Sequence, residues 1–306
     1  TINDDSYYSI YGASSFVSGN WDEINKSVYG SPTADNSATE GLLVYTGDDA
    51  AHAPNGVKAM VIKGANKWQI TFDANNLTYS VSRKYDDLFL TGSEYNWGNT
   101  ESDWKQLTPV NGSDTDFWTI IYLHENEEIK FAPQAAWAGG DFGFIGAEKI
   151  NDEAGAGITA GDDQNLKVAN AGWYTLLFKG KITEDKKNIE WTLSVYPTKV
   201  YILGGSVEMS GTWAFDDAYA LTAPADKNGK WVSPAFTASA ELRAAVKVGD
   251  LDWYRTEFTV YKGNLFWRRY DIVNSWTETE GADYSVTTQV GQKLYIDFDN
   301  YTAEVK

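Results

Sequence analysis

The chain has 306 residues, a formal net charge of −18, no Cys, two His and 13 Trp. That acidity opposes nucleic-acid phosphate and anionic lipid, and the lack of Cys excludes disulfides, thiolate nucleophiles, zinc–thiolate sites and iron–sulfur clusters. His52 and His124 are too few and too far apart for a His-rich metal centre or a serine–histidine triad, and no apolar run is long enough to span a membrane.

The pattern is strand-like almost throughout, with short alternating segments closed by Gly, Asn or Asp. The length predicts more than one domain, and three units emerge in chain order. The first, 1–84, opens on Tyr8-Ser-Ile-Tyr-Gly12, with Trp21 following, and closes on a hairpin. That hairpin pairs Trp68-Gln-Ile-Thr-Phe72 with Leu77-Thr-Tyr-Ser-Val81 across the turn Asp73-Ala-Asn-Asn76. The second, 85–198, opens on Leu88-Phe-Leu-Thr-Gly92, followed by Trp97 and Trp104. It closes on Tyr174-Thr-Leu-Leu-Phe178 and Ile189-Glu-Trp-Thr-Leu-Ser-Val195. The third, 199–306, opens on Tyr201-Ile-Leu-Gly204, followed by Trp213, and closes on Leu294-Tyr-Ile-Asp-Phe298 and Tyr301-Thr-Ala-Glu-Val305. The predicted class is all-β: three tandem β-sandwich, immunoglobulin-like modules of ~100 residues or fewer. The Ala/Gly/Asp-rich stretches 37–64 and 146–165 read as long loops. The joints at 83–85 and 196–198 are short, which predicts a semi-rigid row.

The second and third units share a sharper pattern. Ile129-Lys-Phe131 is followed by Trp137 and then Asp141-Phe142; Leu242-Arg-Ala-Ala-Val246 is followed by Trp253 and then Glu257-Phe258. If Ile129 and Phe131, or Leu242 and Ala244, face the core, strand alternation turns Lys130 and Arg243 to the other side. Each unit would then hold one cation beside loop tryptophans. In the first unit the matching strand, 41–45, has no cation, and the loop after it has no Trp.

Trp and a cation without a reactive centre suit sugar binding. A ring stacks on the C–H face of a pyranose, and polar side chains bond its hydroxyl rim. Coplanar rings would suit a flat glycan and angled rings a curved one; the sequence leaves the angle open. Trp68, Trp118, Trp173, Trp191 and Trp231 lie on alternating strands and read as core. Trp97, Trp104, Trp137, Trp213 and Trp253 lie in polar loops, where binding residues concentrate. Asp162-Asp163 and Asp216-Asp217 could form an acid pair, but a glycosidase needs two carboxylates across one cleft. Two rival readings remain: a glycoside hydrolase with accessory modules, and a structural spacer or adhesin.

Leu88–Gly92 through Leu107, Glu128–Phe131 with Trp137 and Asp141-Phe-Gly143, Asn165–Tyr174, Val200–Gly204, Glu241-Leu-Arg243 and Trp253 form an ordered series. This series resembles the SusE/SusF-type surface lipoproteins of bacterial starch-utilisation systems, well over 85–306 and less over 1–84. The resemblance implies tandem carbohydrate-binding modules with no catalysis, cofactor or metal. It implies a lipid anchor at the outer membrane and work beside a TonB-dependent SusC-like transporter and its SusD-like partner. The implied ligand is polysaccharide, starch or another glycan. Carried over, the sites are Trp97 or Trp104 with Lys130 and Trp137, and Trp213 with Arg243 and Trp253. The first unit is expected to have none. Thr1 opens the chain with neither Met nor signal peptide, so the anchoring segment is expected to have been removed ahead of it.

Overall fold

The computed structural model describes residues 5–12, 20, 27–46, 56–63, 67–207, 213–268, 276 and 283–306. The chain divides into two compact units. One holds Thr1–Tyr85 with Trp137–Gly140 and Lys181–Glu190; the other holds the rest.

In the first unit, Ser6–Tyr8 pairs with Met60–Ile62, and Val28–Gly30 lies between Ile10–Tyr11 and Val44–Tyr45. Thr78–Arg83 lies between Glu40–Leu42 and Trp68–Asp73. Leu43, Met60, Ile62, Tyr79 and Val81 form the core. The expected closing hairpin is present, and its turn has a chemical cause. The Asp73 carboxylate accepts from the backbone N–H of Asn75 (2.9 Å) and Asn76 (3.0 Å), and Leu77 takes the left-handed conformation that ends the turn. Asp297, Asn300 and Tyr301 repeat this arrangement in the last hairpin. Trp68 is only half-buried; it packs against the edge of the core with the Arg83 guanidinium 5.1 Å from its ring. Trp21 and the 47–55 loop lie outside the described residues.

The second unit contains the middle and last modules. In the middle module one five-stranded sheet runs in the order Lys105–Gln106, Phe89–Gly92, Glu128–Ala132, Leu166–Val168, Ile158–Ala160. The other runs Thr108–Pro109, Asp116–Leu123, Gly172–Ile182, Ile189–Pro197, Ala147–Asp152, its last pair parallel. The stretches 37–64 and 146–165, expected as loops, contain short strands. Ala147–Asp152 and Ile158–Ala160 are both edge strands and largely solvated, so they lack the apolar alternation that would mark them.

In the last module one seven-stranded sheet runs from Val200–Leu203 through Arg243–Val246, Glu257–Tyr261, Asn264–Trp267, Thr302–Val305 and Leu294–Asp297 to Trp231–Val232. Both ends of this sheet supply one core, with Val200 and Ile202 from one end and Trp231, Leu294 and Ile296 from the other. That core also takes in Val110, Trp118, Ile120 and Leu177 of the middle module. The strand Asp116–Leu123 is therefore buried on both faces. Phe117 meets Trp191 on one side, and Trp118 meets Trp267 edge-on at 4.5 Å on the other. Trp173 likewise meets Trp231 (5.8 Å) and Phe298 (6.4 Å). Trp118 and Trp173 are thus core as expected, but core of the joint between modules.

Candidate functional site

Both cations sit on the strand the sequence assigned and face away from the main core. Ile129 and Phe131 are fully buried on one side of Glu128–Ala132, and Lys130 leaves the other. Leu242, Ala244 and Val246 belong to the main core, whereas Ala245 joins a second cluster with Tyr201 and Leu203. That second cluster covers the far face of the sheet, so Arg243 is itself only 7% exposed.

The acid after each loop Trp is the counter-ion. Phe131 bridges Phe142, and Ala244 pairs with Phe258. The cation therefore precedes the paired residue on one strand and the acid precedes the paired Phe on its antiparallel neighbour, in the same register in both modules. Lys130 Nζ lies 3.2 Å from Asp141 Oδ2, and Arg243 Nη1 donates to Glu257 Oε1 at 2.7 Å. Further partners arrive from elsewhere. Asp163 Oδ2 is 3.2 Å from Lys130 Nζ, on a turn where Asp163 and Gln164 are both left-handed. Glu128 Oε2 steadies that turn by accepting from Asp162 N–H and Asn165 Nδ2, each at 3.0 Å. Arg243 Nε donates to Glu241 (3.1 Å), and Arg268 Nη1 donates to Glu257 (2.9 Å). The Glu257 side chain is fully buried. Burial pushes its carboxyl pKa up, against the pull of Arg243 and Arg268. As partners of the cations, Asp163 and Arg268 escaped the sequence reading because each comes from a separate segment, whereas Glu241 lies two residues before Arg243 on the same one.

The aromatic parts differ between modules. In the middle module the turn Ser93–Gly98 has Asn96 and Trp97 in left-handed conformation, leaving Trp97 half-buried. Trp104 is 7% exposed and its Nε1 donates to the Gly98 carbonyl at 3.3 Å. A Cβ on Gly98 would stand 2.5 Å from that indole, so only glycine allows the approach. Trp97 therefore holds the accessible position and Trp104 supports the turn beneath it. Trp137 is 47% exposed and falls in Trp137–Gly140, which groups with the first compact unit.

In the last module Trp213 and Trp253 stack at 4.9 Å with 24° between their planes. Trp213 is 41% exposed and packs over Gly204; the Arg243 guanidinium lies 5.6 Å from its ring. Trp253 sits on the helical turn Trp253–Arg255 and backs Trp213 from the second cluster. The middle module fixes that turn: Asn111 N–H donates to the Arg255 carbonyl (3.1 Å) and Asn111 Nδ2 to the Tyr254 carbonyl (3.3 Å). The two rings are stacked with near-parallel planes, so they form neither a coplanar nor an angled two-ring platform: Trp213 presents the accessible ring and Trp253 lies against it. The acid pairs have structural partners. Asp216 caps a helical turn through Ala218 N–H, Asp217 accepts from Tyr201 Oη (2.8 Å), and Asp163 faces Lys130.

Comparison with known proteins agrees with this architecture. A family model described as SusF/SusE starch specific CBMs matches residues 87–189 and 199–304, and one described as SusF, first starch specific CBM, matches 1–83. The outer membrane protein SusF of Bacteroides thetaiotaomicron is 35% identical over 250 residues, which is 78% of this chain and 48% of that protein. The chain thus spans about half the length of this relative. The crystal structure of SusF from the same organism superposes with a TM-score of 0.64 at 29% identity, covering 100% of this chain and 64% of that one. With two of its three modules matched by one family model and the remaining one by a sister model, the chain belongs to the SusF/SusE family of starch-specific carbohydrate-binding modules.

Proposed function

We propose that this chain is a non-catalytic starch binder exposed at the bacterial outer membrane, with one site in the middle module and one in the last. The observation that carries the reading is the exposed Trp213 ring, backed by Trp253 and flanked by Arg243. It offers an apolar ring with a guanidinium held 5.6 Å from its centroid by Glu241 and Glu257. Trp97 with Lys130 supplies the corresponding parts in the middle module, and Trp137 is the exposed ring of the loop that follows. The starch assignment rests on the description of the matching family. The outer-membrane setting rests on the name of the relative. Lipid anchoring and work beside a SusC-like transporter and SusD-like partner rest on family likeness. The matched stretch 1–83 carries a starch-module description, yet its counterpart strand, 41–45, has no Lys or Arg. We therefore assign the two sites to 85–306.

The test is a Trp213→Ala, Trp253→Ala double variant, checked for folding and measured for retention on insoluble starch and for binding of a soluble α-glucan. Each ring contributes ~0.5–1.5 kcal/mol beyond burial, so affinity at this site falls about tenfold or more. An unchanged affinity rejects the assignment. Release of products from an oligosaccharide, abolished by a single Asp or Glu substitution, would favour the hydrolase reading instead.

A further inference from the structure

The joint between the middle and last modules is not uniformly packed. Beside the Trp118–Trp267 contact lies a cavity of about 880 Å³. One wall is the stretch 104–114; the other is 265–268 with Tyr301 from the last hairpin turn. Small-molecule sites are clefts of ~300–1,000 Å³, and this space, open to solvent on one side, falls in that range. The space is therefore the size of a ligand site, bordered by a sealed aromatic contact.

The chemistry of the walls narrows the ligand class. Four rings line the space: Trp104, Phe266, Trp267 and Tyr301. Between them stand neutral hydrogen-bonding side chains, Gln106, Thr108 and Asn111. The two cations at its border are already engaged. Lys105 Nζ lies 4.7 Å from the Tyr301 ring centroid, and Arg268 is bound to Glu257. An anionic ligand would thus have to compete with existing partners. Gln106 Nε2 donates to Asp87 (2.7 Å) and Asn111 Nδ2 to the Tyr254 carbonyl (3.3 Å), so an alkyl chain would strip water from the Thr108 hydroxyl and the two amide oxygens without replacing those hydrogen bonds, which is costly. A pyranose satisfies both halves of the lining, its C–H faces against rings and its hydroxyls against amide and hydroxyl groups.

We propose that this inter-module cavity is an additional carbohydrate site that takes a short neutral α-glucan oligosaccharide or chain end, separate from the Trp213 and Trp97 surfaces. It rests on the starch-binding reading for the ligand class, and on the cavity itself for its place. The indole of Trp104 belongs to this site: it supports the Trp97 turn on one side and lines the cavity on the other. An oligosaccharide held there would touch both modules, so the site exists only while the two are joined.

The experiment uses the full chain and maltotetraose followed by calorimetry, with retention on insoluble starch in parallel. A Trp97→Ala, Trp137→Ala, Trp213→Ala, Trp253→Ala variant removes the surface rings of both sites. It is expected to lose starch retention yet still bind maltotetraose. Adding Thr108→Trp, which places an indole inside the cavity, lowers that remaining binding at least tenfold. Adding Gln106→Leu with Thr108→Val, which keeps volume but removes hydrogen bonds, has the same effect and guards against misfolding of the larger substitution. If the parent is retained on starch but the surface-ring variant binds no maltotetraose, the cavity site is rejected and the starch-binding reading stands. Remaining binding that ignores both cavity variants rejects it equally. Saturation by an alkyl polyoxyethylene detergent without maltotetraose binding assigns the space to apolar ligands and overturns the proposal. A parent chain that neither stays on starch nor binds maltotetraose overturns both readings.

Discussion

At the scale of single residues, Glu127 is the clearest isolated carboxyl outside the sites. It is 4% exposed. One oxygen accepts from His124 N–H at 2.7 Å, and the other is buried without a hydrogen-bond partner. Burial raises its pKa, and the like charge of Glu94 adds to that. The His124 N–H bond, the His124 side chain and Lys227 oppose it. A carboxyl whose folded pKa is raised binds its proton more tightly in the folded chain than in the unfolded one. Stability therefore falls as pH rises from the ordinary carboxyl value through the raised one, and is level above it. Glu127→Gln keeps an acceptor for His124 N–H and removes the desolvated charge. It should stabilise the chain by ~1 kcal/mol at pH 7, the order of a poorly satisfied buried polar group. Urea unfolding of both proteins at pH 7 and pH 4 checks this: the advantage shrinks at pH 4, and an advantage equal at both values refutes the cause. The side chains of the candidate sites were partly legible in the same terms. Alternation along 128–132 and 242–246 was enough to turn Lys130 and Arg243 away from the core. It could not tell that Arg243 would be roofed by a second cluster, because the strand that carries Tyr201 and Leu203, the loop residue Phe215 and the turn residue Trp253 come from three segments. Nor could it separate Trp97 from Trp104, a difference set by the left-handed turn at 96–98.

At the scale of elements, the repeated cation–acid register is the unit that survives from module to module while its surroundings change. The Lys130 side chain is nearly as buried as Arg243, but its acids reach solvent: the side chain of Asp141 is partly exposed and that of Asp163 almost fully. Arg243, Glu257 and Arg268 are enclosed. The same pairing should therefore have unequal energetic weight. Glu257→Ala leaves two guanidiniums in a buried setting without their shared carboxylate and should cost ~3–5 kcal/mol. Asp141→Ala leaves Lys130 with Asp163 and water and should cost ~0–1 kcal/mol. Denaturant midpoints of the two variants, measured side by side, decide the matter; equal losses would mean that burial does not govern the pair. The acid four residues after each loop Trp was visible in the sequence as a pattern. Its meaning was not, because it depends on strand register: only the Phe131–Phe142 and Ala244–Phe258 pairings bring the acid diagonally opposite the cation. The closing hairpins were legible for a local reason. An Asp that satisfies its own turn leaves the same short signature at 73–77 and at 297–301.

At the scale of the whole molecule, boundaries read from repeats differ from boundaries set by packing. The repeats at 88–92 and 201–204 mark two modules, but Trp118, Ile120 and Leu177 of one share a core with Ile202, Trp231 and Phe258 of the next. Sequence periodicity shows that a strand is apolar on both faces; it does not name which neighbour covers each face. A shared core predicts shared stability. Trp118→Ala removes a fully buried indole that contacts Trp267 and should cost ~3–5 kcal/mol, the usual range for truncating a buried aromatic. Because the cavity so formed lies between the modules, the loss should be felt on both sides of it. In the full chain, amide hydrogen exchange read at Ile120 and at Ile202 should report similar opening free energies, and Trp118→Ala should lower both by comparable amounts. If protection at Val200–Leu203 were untouched while Asp116–Leu123 opened, the modules would be independent folding units in contact. An equal drop would make the joint a cooperative part of the fold, so that the turn at Asn111, the Trp253 it holds and the Trp213 face in front of it are positioned by the stability of both modules together.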